Sequence, residues 1–452
     1  MIARPRVVVI GGGFGGIAAA QALRGGNVDV LVIDRHNHFV FQPLLYQVAS
    51  GLLAPSDIAV PIRWYLRRQQ NTSVLLGEVT AIDVGRRTVT INAGEMVEPY
   101  DFLVVASGSR HAYFGHDAWE QDAPGLKSLD DALHMRSRFL TAFERAELSS
   151  DPEERQAWQT IVIVGGGPTG AELAGIMVTI ARKALRSEFR RIDTAATRIL
   201  LVEGGNRILP TFPEELSARA LDDLRGMGVE VLLNSMVSQV DAGSVRIGDE
   251  VLRTHTVFWA AGNAASPLSR QLGAPLDRVG RVLVEPDLSL PGHPEVFVVG
   301  DMAVTTQRDG RPVPGVAQGG IQGGRTAGQN ILRTLRRQER RPFRYVNKGD
   351  MATLGRHSAV ADLGFVRFGG PLAWFIWLFI HIAYLAGFRN RLIVLVEWAW
   401  EYFTYQRGVR LILGREQPLV PAARSMRASP ADPSAAVRGA SVATVETRSE
   451  TP

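Results

Sequence analysis

One turn is written twice in this chain. Val7-Val8-Val9-Ile10 runs into Gly11-Gly12-Gly13-Phe14-Gly15-Gly16 and an alanine-rich stretch to Leu23, and Ile161-Val162-Ile163-Val164 runs into Gly165-Gly166-Gly167-Pro168-Thr169-Gly170 and an apolar stretch from Ala171 to Ile180. A buried strand that turns at once into a helix tolerates few sequences. The first glycine of each set (Gly11, Gly165) permits the turn, and the second (Gly13, Gly167) lets backbone approach a pyrophosphate. The third (Gly16, Gly170) lets the helix pack on its strand, so that phosphates meet the helix N-terminus. A single match carries little weight. Two, each in strand–turn–helix context, predict an α/β chain that holds two dinucleotides side by side.

Each copy is followed by a candidate reader of the adenosine ribose. The stretch Val28 to Ile33 reads as a second strand ending at Asp34, and Arg198 to Val202 as another ending at Glu203. A carboxylate there accepts hydrogen bonds from ribose hydroxyls and repels a 2′-phosphate. Glu203 therefore favours NADH over NADPH, while Arg207 leaves some NADPH use open. The charged insert Arg182 to Thr197 lengthens the crossover before Glu203.

Composition excludes several chemistries. The 452 residues suit two or three domains, and 46% hydrophobic content supports real cores. Cysteine is absent, so the chain has no disulfide, thiolate metal site or redox-active cysteine pair. The nine histidines show no metal-ligand spacing, so no metal is expected, and His36, His38 and His381 read as packing or interfacial residues. A net charge of +5 gives no reason to expect nucleic acid, though it suits an anionic membrane surface. With a core strand beginning near Arg6, no secretory signal is expected and the catalytic part is assigned to the cytoplasm.

Two further strands close the nucleotide units. Tyr100 to Val105 precedes Ala106-Ser107-Gly108, and Thr256 to Trp259 precedes Ala260-Ala261-Gly262. A later buried strand, Val296 to Val299, ends in Gly300-Asp301 and returns the chain to the first unit. This order resembles the flavoproteins with two dinucleotide-binding domains. Within them it is most similar to the type II NADH dehydrogenases, single-chain NADH:quinone oxidoreductases that pump no protons. The resemblance is carried by Phe41-Gln42-Pro43-Leu44-Leu45-Tyr46-Gln47-Val48-Ala49, Gly170-Ala171-Glu172, Ala317-Gln318 with Gln322, and Met351 to Arg356.

The fold this implies is α/β, with a discontinuous FAD-binding domain, an inserted NAD-binding domain and a C-terminal helical region that associates with a membrane. Its expected divisions are 1–120 and 263–345 for FAD, 121–159 for a connecting helix, 160–262 for NAD, 346–415 for the membrane-associating region and 416–452 for a disordered tail. FAD rather than FMN is expected, because the first fingerprint and Asp34 recognise an adenosine half. Asp301 is placed for ribityl hydroxyls, and the resemblance sets Gln42, Pro43 and Leu44 beside the isoalloxazine ring. Ala106, Ala317 and Gly262 complete the cofactor contacts.

No protein nucleophile is needed, since a bound flavin carries the chemistry. Glu172 reads as a group near the nicotinamide that orients NADH or relays a proton. Gln318 and Gln322, four residues apart, share one helical face, and the resemblance implies that this face meets the quinone head group. Their helix contains four early glycines, each costing roughly 1 kcal/mol relative to alanine; close backbone approach to a flat ligand would explain them.

From Pro371 the composition changes. Pro371 to Phe388 is apolar except for His381, and as one helix would be roughly 27 Å long, just short of a comfortable span. The next segment is amphipathic, with Leu392, Leu395, Val396, Ala399, Tyr402 and Phe403 on one face. Trp374, Trp377, Trp398, Trp400 and Tyr384 suit a membrane–water boundary. The expected partners are NADH, a membrane quinone (ubiquinone or menaquinone) and the cytoplasmic face of the inner membrane, held peripherally, with a homodimer left open. The rival readings are a soluble flavin reductase of a ferredoxin-like acceptor, which needs no membrane face, and a flavin-bound NADH sensor, which needs no fast turnover.

The ribose reader yields the first prediction. NADH is preferred over NADPH, and Glu203→Gln narrows that preference by roughly tenfold, about 1.4 kcal/mol. Steady-state kcat/KM for both nucleotides measures it; equal use of the two by the unaltered protein refutes the assignment.

Overall fold

The computed structural model describes residues 4–307, 310–385, 387–404 and 409–413; the tail expected from 416 onward lies outside them. Its first sheet runs Ser289–Leu290, His293–Val298, Phe102–Val105, Arg6–Ile10, Asp29–Asp34, Thr72–Leu76. Arg6–Ile10 pairs in parallel with both neighbours, Val8 standing opposite Leu31 on one side and Leu103 on the other. Its four inner residues, Val7 to Ile10, are buried, so branched apolar side chains on both faces of the strand find cover. Val296 pairs with Leu103, which brings a strand nearly two hundred residues away into the same sheet. The FAD-type domain is therefore discontinuous, as its sequence order implies.

Helix α1 (Phe14–Ala22) follows the first strand and its glycine turn. Helix α2 (Leu45–Ala49) is buried along its whole length. It packs against the long connecting helix α3 (Leu129–Leu148), whose N-terminus is closed by Ser128 and Asp131 in a capping box. The inserted sheet runs Glu230–Leu232, Arg198–Val202, Thr160–Val164, Thr256–Trp259, all parallel. Its fingerprint strand feeds helix α4 (Pro168–Thr179), with proline in the first turn where its missing N–H does no harm. The two sheets thus repeat one plan, a central strand between one that ends in an acid and one that ends in alanine.

Helix α5 (Ala317–Leu335) returns the chain to α1, and here the structure changes the explanation of the glycines. A Cβ on Gly324 would overlap the carbonyl oxygen of Gly15, and one on Gly328 would lie 2.7 Å from that of Ala19. Gly320 faces the Gly15 amide at 3.5 Å. Gly324 and Gly328, four residues apart, therefore let α5 lie backbone to backbone on α1. Close helix contact accounts for Gly324 and Gly328, while Gly319, Gly320 and Gly323 line the cavity beside Asp301, where approach to a ligand remains their reason.

The C-terminal region is a small antiparallel sheet (Asp350–Thr353, Ala359–Asp362, Arg367–Gly369) followed by α6 (Pro371–Tyr384) and α7 (Phe388–Thr404). Helix α6 stops at Tyr384, earlier than the apolar run, and no helix among the described residues is long and apolar enough to cross a membrane. Trp377 and Trp398 do not sit at a boundary: they are 2% and 8% exposed and their rings lie 5.4 Å apart in the core. Trp400 and Tyr384 do face outward, as do Leu392, Leu395 and Val396. Burial on α7 falls instead on Asn390, Val394 and Trp398, the opposite stripe.

Glycine packing can be tested against a second helical glycine. Gly324→Ala is expected to destabilise by about 1–3 kcal/mol, as overpacking does, with loss of bound flavin. Gly226→Ala, where nothing stands within 4 Å of the added carbon, is expected to gain roughly 0.5–1 kcal/mol. Thermal melting and flavin content report both; equal melting temperatures for the two variants would refute the packing argument.

Candidate functional site

Both fingerprints close in the same way. Gly11 and Gly165 have φ of +98° and +106°, a region that L side chains rarely adopt. Their amides donate to Ile33 and Val202 at 2.8 and 2.7 Å. Ala106 and Ala260 donate to the carbonyls of Ile10 and Val164, also at 2.8 and 2.7 Å. A Cβ on Gly16 or Gly170 would overlap the carbonyl of Gly11 or Gly165. Gly13 and Gly167 instead have nothing within 4 Å of the position a Cβ would take, and neither helix has a side-chain cap. The N–H groups of two helix starts therefore face open space. An anion such as pyrophosphate would satisfy them.

The ribose readers are held alike. The Gly12 amide donates to Asp34 Oδ2 at 2.6 Å, and the Gly166 amide to Glu203 Oε2 at 2.6 Å. Burial alone would raise the Asp34 carboxyl, but hydrogen bonds from the His36 side chain and from the Gly12 and His36 amides hold it below the ordinary aspartate range. His36, read from sequence as a packing or interfacial residue, is thus an electrostatic neighbour of the first site, its Nδ1 3.6 Å from Asp34. Glu203 also accepts from the Gly205 amide at 2.7 Å, while Arg207 turns away to the Pro210 carbonyl.

Around Asp301 lies a cavity of about 230 Å³, lined by Ser109, Asn263, Arg281, Gly315, Val316 and Gly320 among others. Ser109 Oγ donates to Asp301 Oδ2 at 2.7 Å. The start of α5 borders the cavity, with Val316 and Ala317 at an N-terminus that no side chain caps. Uncapped helix starts, an aspartate and a cavity between them fit FAD, whose phosphates, ribityl hydroxyls and ring need these groups. Of the three residues expected beside the ring, Gln42 is exposed and Pro43 half-buried, but Leu44 is 0% exposed and belongs to the core under the turn. Gly262 (φ +82°) is approached by the Phe114 ring, 2.6 Å from the position of a Cβ.

Glu172, in the second turn of α4, is half-buried at the junction of the NAD-type domain and the C-terminal sheet. Burial pushes its carboxyl up to about 8, against one opposing hydrogen bond from the Thr353 amide at 3.4 Å. A path of hydrogen bonds leads on from there. Thr353 Oγ1 meets Tyr46 OH at 3.0 Å, Gln47 Nε2 donates to Tyr46 OH at 3.0 Å, and Trp398 Nε1 donates to Gln47 Oε1 at 2.8 Å. Tyr46 and Gln47 belong to the family-specific run, yet sequence offered no clue that they link α7 to Glu172. His381 donates through Nδ1 to the Trp377 carbonyl at 2.7 Å, and burial lowers its imidazole to about 4, so it is neutral.

Gln318 and Gln322 do share a face, and that face is engaged. Gln318 Nε2 donates to the Gly349 carbonyl and its Oε1 accepts from the Lys348 amide, at 3.0 and 3.1 Å. Gln322 makes the same double contact with Val346, both at 2.9 Å. The two amides thus clasp residues 346–349 as a neighbouring strand would. One N–H of each remains for another acceptor.

This arrangement defines a two-dinucleotide flavoprotein. The family model for pyridine nucleotide-disulphide oxidoreductases matches residues 5–327, and that for the NDH2 C-terminal domain matches 347–405. The type II NADH:quinone oxidoreductases NdhA and Ndh of Mycobacterium tuberculosis are each 46% identical to this chain. The matches cover 90% of it and 88% and 89% of theirs. The NDH2 of Plasmodium falciparum in complex with NADH has the same fold, with a TM-score of 0.82 at 20% identity over 90% of this chain and 99% of that one. The chain belongs to the type II NADH:quinone oxidoreductases. Without cysteine, it lacks the dithiol for which the wider group is called disulphide oxidoreductases.

The raised carboxyl gives a pH prediction. Below about pH 8 Glu172 is protonated and can donate; above it the group is a carboxylate. Turnover of the unaltered protein is expected to fall as pH rises through about 8, and Glu172→Gln to remove that inflection while retaining FAD. An inflection unchanged in the variant would show that Glu172 does not set it.

Proposed function

We propose that this chain oxidises NADH and reduces a membrane quinone to quinol through bound FAD, without moving protons across the membrane. The observation that carries the reading is the pairing, in one molecule, of two open fingerprint turns with C-terminal helices that turn apolar side chains outward. Bound FAD, held by the Gly11–Gly16 turn, Asp34 and Asp301, would supply the two-electron carrier between nicotinamide and quinone. The protein's own groups position and shield. Glu203 and Asp34 orient the two adenosine riboses, and Asp301 holds the ribityl chain. Gly13 and Gly167 open the way to the pyrophosphates. Glu172, protonated at neutral pH, donates a hydrogen bond beside the nicotinamide or passes on its proton.

The quinone reaches the site from the membrane side. Leu372, Phe375 and Phe379 on α6 and Leu392, Leu395, Val396 and Trp400 on α7 are between 45% and 77% exposed. An apolar surface of this extent supports a peripheral, membrane-lying contact. Arg389 and Arg391, exposed beside it, suit anionic lipid on a cytoplasmic face. A soluble reductase of a small protein acceptor has no use for such a surface. Gln318 and Gln322 clasp residues 346–349 and offer their remaining N–H groups to a quinone oxygen.

NADH oxidation by the purified protein, with and without a short-chain quinone, tests the reading. Gln318→Ala and Gln322→Ala are expected to slow quinone reduction at least about tenfold more than reduction of bound FAD by NADH, a differential of about 1.4 kcal/mol. Stopped-flow flavin absorbance separates the half-reactions. Equal slowing of both would mean that the helix shapes the flavin site generally.

A further inference from the structure

Lys127, one of three lysines in the chain, stands just before α3 and was given no role by its sequence. Its backbone is fixed from two sides. The Lys127 amide donates to Asp131 Oδ2 at 3.0 Å beside the capping box, and its carbonyl accepts from Gln42 Nε2 at 3.3 Å. Its side chain runs inward, where Nζ donates to Ser109 Oγ at 2.9 Å while Ser109 donates onward to Asp301. The ammonium is therefore one hydroxyl away from the residue assigned to the ribityl chain. Its own carbonyl carries the glutamine assigned beside the ring.

That position is unusual for a lysine. An ammonium has three N–H groups, of which one is used here. No carboxylate stands within 4 Å of Nζ among the described residues, and a buried charge without a partner is strongly disfavoured. Burial holds the group below the ordinary lysine range, and the more distant Asp301 and Asp131 carboxylates oppose that shift. Surface salt bridging, the usual employment of lysine, does not account for it. The cavity lined by Ser109 and Asp301 offers space for an acceptor, and the uncapped start of α5 opens on the same cavity and contributes partial positive charge.

We propose that Lys127 contacts the flavin and that its positive charge, together with the start of α5, favours the reduced, anionic cofactor over the oxidised, neutral one. This deepens the reading above and rests on its FAD assignment. A cation in a partly buried cleft interacts strongly with charge that appears on reduction and weakly with the neutral ring. Lys127 thereby sets the driving force available from NADH to flavin and from flavin to quinone.

The test is the two-electron midpoint potential of the bound FAD, measured against reference dyes on the intact flavin-loaded protein. Lys127→Met is expected to shift the oxidised-to-reduced ratio at least tenfold toward oxidised flavin, about 30 mV for a two-electron couple. Lys127→Arg, which keeps the charge, is expected to stay within about threefold of the parent. A Lys127→Met protein that retains FAD with an unchanged potential overturns the proposal. Should that variant fail to fold, Lys127→Gln takes its place, and equal potentials for the Gln and Arg variants overturn the proposal likewise. No quinone enters the measurement. Variant potentials that shift as stated, with a parent protein that leaves quinone unreduced, would overturn the quinone reading alone.

Discussion

The backbone contact between α1 and α5 is the constraint on which the rest of the site depends. Gly324 and Gly328 remove the side chains that would hold α5 away from Gly15 and Ala19. Once the helices touch, the return strand His293–Val298 lies beside Phe102–Val105, Gly320 lies against Phe14 and Gly15, and Asp301 and the start of α5 border one cavity. Ser109 and the segment from Gly300 to Gly323, about two hundred residues apart in the chain, then line one cavity. The energetic logic is that of any close helix pair. Each glycine forfeits some helix propensity, and dispersion between tightly apposed backbones offsets it.

A second constraint joins the catalytic body to the C-terminal helices. Trp398, Gln47, Tyr46 and Thr353 form a buried hydrogen-bonded path from α7 to Glu172. Buried polar groups that satisfy one another fix a single arrangement more sharply than apolar contacts, because each broken bond leaves a desolvated partner. The glutamine clasp on residues 346–349 acts beside it and binds the linker to α5. The outward apolar face of α6 and α7 is thus held in fixed relation to the cofactor cleft, which a reaction between a soluble nucleotide and a lipid-soluble acceptor requires.

The two nucleotide turns were legible because their demands are local. A left-handed turn needs Gly11 and Gly165, a helix against its strand needs Gly16 and Gly170, and a phosphate needs the bare approach at Gly13 and Gly167. These requirements span six residues and leave a mark wherever they apply. The acids at Asp34 and Glu203 were legible for the same reason, since strand pairing carries the register to a known distance. Other groups left no such mark. Leu44 sits in a run expected beside the ring, and only its packing shows that it belongs to the core. Trp377 and Trp398 have the composition of a membrane boundary and the burial of a core.

From sequence alone followed the doubled α/β plan, the discontinuous first domain, the exclusion of thiol chemistry, and the family. Each rests on short-range periodicity, strict backbone requirements or the absence of a residue type, none of which needs a partner from elsewhere in the chain. Tertiary structure alone decided what the polar side chains do. Lys127 stands by Ser109 and Asp301, the glutamines clasp residues 346–349, and desolvation of the half-buried Glu172 keeps a proton on its carboxyl at neutral pH. Burial and hydrogen-bond partners belong to the assembled fold, and the same lysine, glutamine or glutamate on a solvated face would have ordinary chemistry.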